Sequence, residues 1–158
     1  GTIYKHFKSK NQLYLELIIL NEHRLLEISK KYKNNIKTYV SQYMLYNMLN
    51  SNRTILLHVI EDRLTNNEKN LKELFEQLYA IREERIIEIR DMTGEYLTSL
   101  ESAMSIRDYL SYIWTVTYGA SLLLNSTHYQ KSIGSRERLI KLYINQALMT
   151  PDKISLIH

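Results

Sequence analysis

Apolar residues recur along most of this chain at intervals of three and four, the period of helices with one buried face. Over residues 11–32, Leu13, Leu17, Leu20, Leu25 and Ile28 mark a long amphipathic helix, and Lys33-Asn34-Asn35 reads as a turn. A second helix is predicted over 36–49, with Ile36, Val40, Tyr43 and Asn47 on one side and Tyr39, Met44 and Tyr46 beside them. Asn50-Ser51-Asn52 breaks it, residues 54–64 make a short apolar helix, and Thr65-Asn66-Asn67 is the next break. A long helix over 68–96 then turns Leu71, Leu74, Phe75, Leu78, Ile86 and Ile89 inward, with Gly94 weakening its last turn. After a loop at 99–104, residues 105–125 are helical through Ile106, Leu110, Ile113, Trp114, Thr117 and Leu124. The polar stretch 125–134 reads as a longer loop. Ser135 caps a final helix carrying Leu139, Ile140, Tyr143, Ile144 and Ala147 as far as residue 149, and Pro151 stops it.

Composition agrees with an all-α protein: only four glycines and one proline interrupt 158 residues, enough chain for one compact domain and the stub of another. With no cysteine, disulfides and thiolate chemistry are excluded. No apolar run approaches the ~18–20 residues of a membrane span, and the start carries no signal-peptide pattern. There is no Gly-x-Ser-x-Gly elbow and no phosphate-cradling glycine loop. His58 with Glu61 and Asp62 has metal-compatible spacing, but that face, with Thr54 and Thr65, reads as solvent-exposed and no second ligand pair accompanies it. Neither an enzyme nor a metal or cofactor site is expected.

Charge is unevenly placed. Residues 1–37 hold eight Lys/Arg against three Glu, whereas the remaining residues hold thirteen against fourteen acidic ones. The basic end opens with Gly1-Thr2-Ile3-Tyr4-Lys5-His6-Phe7-Lys8-Ser9-Lys10, followed by Asn11-Gln12-Leu13. Ser9 and Gln12 have the spacing of a capping box, so a short helix ends near Phe7 and the next begins at Ser9. Ile3 and Phe7 pin the short helix to the body and leave Thr2, Tyr4, Lys5 and His6 outward. Hydroxyl, phenol, imidazole and lysine on one outward edge suit DNA phosphates and base edges.

This thirteen-residue stretch resembles the recognition helix and following helix start of the tetracycline-repressor (TetR) family of bacterial transcription regulators. Trp114 and Gly119 also resemble that family's penultimate helix. The resemblance implies that residues 1–10 are the end of a helix-turn-helix head whose first two helices precede this sequence. Residues 11–150 would form a six-helix ligand-binding and dimerisation domain, and 151–158 a tail. By resemblance, Thr2 and Lys5 face base edges while Tyr4, His6 and Lys10 hold phosphates. It also implies a cytoplasmic homodimer that reads a palindromic operator.

Two body surfaces carry expectations. Thirteen tyrosines against two phenylalanines suggest a core with polar lining, because a buried tyrosine hydroxyl needs a partner. By resemblance, Tyr43, Asn47, Tyr79, Arg82, Trp114, Thr117 and Tyr118 enclose an effector pocket. Arg82 falls between Leu78 and Ile86 in an apolar stripe, where it meets an acidic or carbonyl-bearing ligand, pairs with a glutamate, or packs its stem flat with its head in water. Gly119-Ala120-Ser121 removes bulk from mid-helix, so a second helix can come close. The expected dimer interface is Gly119, Ala120, Leu123, Ile140, Tyr143 and Ala147. The expected function is a ligand-responsive, DNA-binding repressor released from its operator by a small-molecule effector. The alternative is an all-helical dimeric interaction module without such a ligand.

Overall fold

The computed structural model describes residues 9–67 and 70–153, and the expected head residues Thr2, Tyr4, Lys5 and His6 lie outside them. Ser9 accepts the Gln12 N–H at 3.1 Å and opens α1 (Lys10–Lys31), so the expected start is where the cap residue puts it. Asn35 likewise accepts the Thr38 N–H at 3.0 Å and opens α2 (Ile36–Leu49). α3 (Ser51–Asn67) follows after Asn50 alone. It is longer than the predicted 54–64 because side chains heal the joint. The Thr54 hydroxyl donates to the Asn47 carbonyl at 2.7 Å, and Arg53 donates to the Tyr46 carbonyl at 3.0 Å. These contacts satisfy carbonyls that the end of α2 would otherwise leave open.

α4 (Lys72–Ser99) is the longest helix, and Gly94 within it lets Ile106 approach, since a Cβ there would lie 3.1 Å from the Ile106 Cδ1. Ser105 and Asp108 form a reciprocal capping box at the start of α5 (Ile106–Asn125). A short helix, α6 (Thr127–Ser132), occupies the stretch read as a loop. It buries no residue, so it has no apolar period by which the sequence could announce it. Gly134, at φ +103°, makes the turn into α7 (Arg136–Lys153). Among the described residues the protein is all-helical.

Pro151 does not stop α7, which continues to Lys153. Proline lacks the N–H that would bond the carbonyl four residues back, that of Ala147. The fully buried Tyr109 fills the gap, its hydroxyl donating to the Ala147 carbonyl at 3.1 Å. Tyr96 donates to the next carbonyl, Leu148, at 3.0 Å. Two tyrosines from α4 and α5 thus hold the last turns of α7.

The interior consists of two apolar clusters. One joins Leu15, Ile18 and Ile19 of α1 to Leu64 of α3 and to Phe75, Leu78 and Ile81 of α4. The larger gathers α2, α5 and α7 around Ile89 and Leu97 of α4 and Leu25 of α1. α1 and α4 run through both, and the predicted inward residues are partly met: Leu25 on α1, Leu71 at the N-cap of α4, and Phe75, Leu78 and Ile89 within α4 are buried. On α1 the buried face is Leu15, Ile18, Ile19, Glu22, Leu25, Leu26 and Ser29, whereas Leu17 and Leu20 are 45% and 49% exposed. On α4 it is Phe75, Leu78, Ile81, Arg85, Ile89, Thr93 and Leu97, with Ile86 on the outside. Both helices carry leucine or isoleucine on nearly every side, which makes a stripe drawn from the sequence ambiguous.

Candidate ligand cavity

Glu22 on α1 and Arg85 on α4 interrupt these stripes at the level where the two clusters meet. Both are buried, and a buried charge is tolerated only when paired. The Arg85 Nε donates to Glu22 Oε1 at 2.8 Å. Arg82, one turn earlier, donates through Nε to Glu22 Oε2 at 3.2 Å. Its fork then closes on Glu61 of α3, Nη1 donating to Oε2 at 2.9 Å and Nη2 to Oε1. Two guanidiniums and two carboxylates therefore form one chain across α1, α3 and α4.

Above this layer lies a cavity of about 220 Å³. Ile18, Asn21, Glu22 and Leu25 of α1 line it together with Tyr43 and Asn47 of α2. α3 contributes Thr54, Leu57, His58 and Glu61, and α4 contributes Arg82 and Arg85. Trp114, Thr117 and Tyr118 of α5 close the wall, and the exposed His58 packs on the Tyr118 ring at 4.4 Å between centroids. Its volume falls below the ~300–1,000 Å³ usual for small-molecule sites.

Six of the seven residues expected around a pocket lie on this wall: Tyr43, Asn47, Arg82, Trp114, Thr117 and Tyr118. Tyr79 does not. It is 48% exposed and packs against the Phe75 ring, one position round the helix from the buried Leu78. Arg82 is paired with two glutamates, so the glutamate pairing weighed for it is the one observed. The face bearing Thr54, His58 and Glu61 borders the cavity and does not simply face solvent. Glu22 and Arg85 were missed. Their signal was an acid three to four residues from Ile18, Ile19, Leu25 and Leu26, and an arginine four residues from both Ile81 and Ile89.

The polar groups are electrostatically coupled. Burial acts against the charge of Arg85, but Glu22 and the neighbouring tyrosines more than offset it and hold its pKa above the ordinary arginine value. Arg82 is held up in the same way: burial lowers it, and Glu61 and Glu22 outweigh that effect. Burial pushes the Tyr43 hydroxyl up to about 12 against the pull of Arg85, whose guanidinium sits 5.7 Å from the Tyr43 ring centroid. Arg85 Nη1 and the Tyr39 hydroxyl are buried without a hydrogen-bond partner among the described residues.

The expected dimer residues divide. Ala120, Ile140 and Ala147 are buried inside one chain, within the cluster that joins α5 to α7, and are unavailable to a second copy. Small residues here let the chain's own helices approach. Gly119 has no neighbour within 4 Å of where a Cβ would stand, and Leu123 and Tyr143 are half-buried. Leu122, Leu142 and Met149 remain exposed on α5 and α7. Lys10, the described member of the proposed phosphate contacts, is exposed at the start of α1, with its Nζ 5.5 Å from the Tyr14 ring centroid. No helix among the described residues is long and apolar enough to cross a membrane. No protein-family model matches this chain, and no curated protein matches it.

Proposed function

We propose that this chain is the sensor body of a ligand-responsive, DNA-binding transcription regulator of the TetR type, acting as a homodimeric repressor in the cytoplasm. The observation that carries the proposal is the cavity, built by five helices and floored by charges that reach α1. Glu22 is the acidic α1 residue on that floor, and α1 begins directly after the basic opening stretch. A ligand that alters the grip of Arg82 and Arg85 on Glu22 biases the position of α1. It thereby changes the spacing of two heads that contact an operator through Thr2, Tyr4, Lys5, His6 and Lys10. Such a ligand works only through a difference in affinity between the two states. The outer faces of α5 and α7, around Gly119, Leu122 and Leu142, supply the dimer contact.

The small volume of the cavity and the exposed Leu56 and Val59 on α3 favour the second reading, an interaction module without a small-molecule ligand. A gel shift with the full-length protein and DNA flanking its own gene separates the two. The regulator binds, and its affinity falls about 10³-fold or more between about 50 and 200 mM salt. The module gives no shift at the lower salt.

A further inference from the structure

A second recess carries charge of one sign only. Where α2 passes into α3, a cleft of about 380 Å³ opens between that joint and the end of α5. Arg53 and Arg136 line it together with amide and hydroxyl side chains such as Asn52, Gln130 and Ser51, and no acidic residue does. Neither arginine has a carboxylate partner among the described residues. Carbonyls answer part of their charge. Arg136 donates through Nη1 to Leu124 and through Nη2 to Met48, and Arg53 donates through Nη2 to Tyr46. Those two helix ends carry only about half a negative charge each, and the start of α3 brings about half a positive one. The cleft keeps an excess of about one and a half positive charges. Donors remain as well. Arg53 Nε is sealed within the protein and takes no part. Arg53 Nη1 and Arg136 Nε have no partner among the described residues and are open to solvent. Ser51 is buried and accepts from Arg136 at 3.1 Å, but its own hydroxyl proton has no acceptor among the described residues. The first three N–H groups of α3, on Ser51, Asn52 and Arg53, have no backbone acceptor among them either. Because Nη groups of both arginines are spent on carbonyls, the parallel pair of bonds that suits a planar carboxylate is not on offer. Single donors from several directions suit a tetrahedral oxyanion.

We infer that this cleft binds a small tetrahedral oxyanion, either free phosphate or the phosphoryl end of a monoester. It shares no lining residue with the ligand cavity, and it does not depend on the regulator reading. Calorimetry on the full-length protein, at fixed pH and ionic strength, compares inorganic phosphate, methyl phosphate and acetate. At least one of the two phosphates is expected to bind about tenfold or more tighter than acetate, and the tighter of the two identifies the source. Asn52 is exposed in the first turn of α3, where an aspartate favours the helix but repels an oxyanion. Asn52→Asp is therefore expected to keep the fold and to raise the phosphate dissociation constant about tenfold. Arg53→Gln removes one of the two charges and is expected to act in the same direction, with circular dichroism checking that both variants are folded. Acetate binding as tightly as both phosphates, or no binding of either phosphate at millimolar concentration, overturns the inference. So does full phosphate affinity in folded Asn52→Asp, which would place the anion elsewhere, such as on the basic opening stretch.

Discussion

Glu22 shows how much one buried carboxylate can carry. Its two oxygens accept from two different arginines, and its side chain is 5% exposed. Glu22→Ala leaves Arg85 buried with no carboxylate, the situation in which breaking a buried pair costs about 3–5 kcal/mol. Glu61→Ala removes a bidentate partner from Arg82, but Glu61 is 20% and Arg82 31% exposed at the side chain, and Arg82 keeps Glu22. Its cost is expected near 1 kcal/mol. Urea unfolding of the two variants checks the order, and equal losses would mean that Arg85 finds water or Tyr39 when Glu22 is gone. The same residues mark the limit of sequence reading. Arg82 drew notice because it fell between Leu78 and Ile86, but Ile86 is on the outside and the deeper arginine is Arg85. A charge within an apolar run signals a buried network, and one turn of ambiguity in the stripe decides which member is identified.

Helices were legible where local chemistry sets them. The caps at Ser9, Asn35 and Ser105 start three helices at or next to the predicted residues, because a side-chain oxygen accepting a backbone N–H is a local event. Ends that depend on distant partners were not legible. α3 begins early because Arg53 and Thr54 reach back to α2, and α7 passes Pro151 because Tyr109 arrives from α5. Arg136 is another such partner. It donates to Leu124 at the end of α5 at 3.0 Å and to Met48 at the end of α2 at 2.7 Å, placing one cation at two helix C-termini. The Tyr109 contact gives a sharp test. Tyr109→Phe strands the Ala147 carbonyl and is expected to cost about 1–3 kcal/mol. In a Pro151→Ala background the restored N–H can take that carbonyl, so the same tyrosine change should cost less than about 1 kcal/mol. A double-mutant cycle by chemical denaturation measures the difference, and additive losses would show that the proline leaves no gap for Tyr109 to fill.

At the scale of the whole molecule, two apolar clusters are joined through α1 and α4 across a charged layer, and a cavity opens where packing gives way to ion pairs. In the proposed regulator, what occupies the cavity would act on α1 through this layer, because the helix has apolar grip above and below Glu22 and a polar grip at it. The proposed second copy must then bind where it leaves this layer free, on α5 and α7. There, the small residues that looked like an interface are spent inside the chain, with Ala120 and Ala147 6% and 0% exposed. The exposed leucines of these helices are instead Leu122 on α5 and Leu142 on α7, 47% and 46% exposed. Leu122→Glu with Leu142→Glu puts charges where the dimer would bury them. Because both positions are about half exposed in one chain, the fold itself is expected to lose little. The pair is expected to raise the dimer dissociation constant by about a hundredfold or more, with unchanged helical content by circular dichroism. Sedimentation equilibrium measures the first quantity. A variant that sediments as the wild-type dimer would place the contact on another face, and a wild type that sediments as a monomer would remove the twofold reader that a palindromic operator requires.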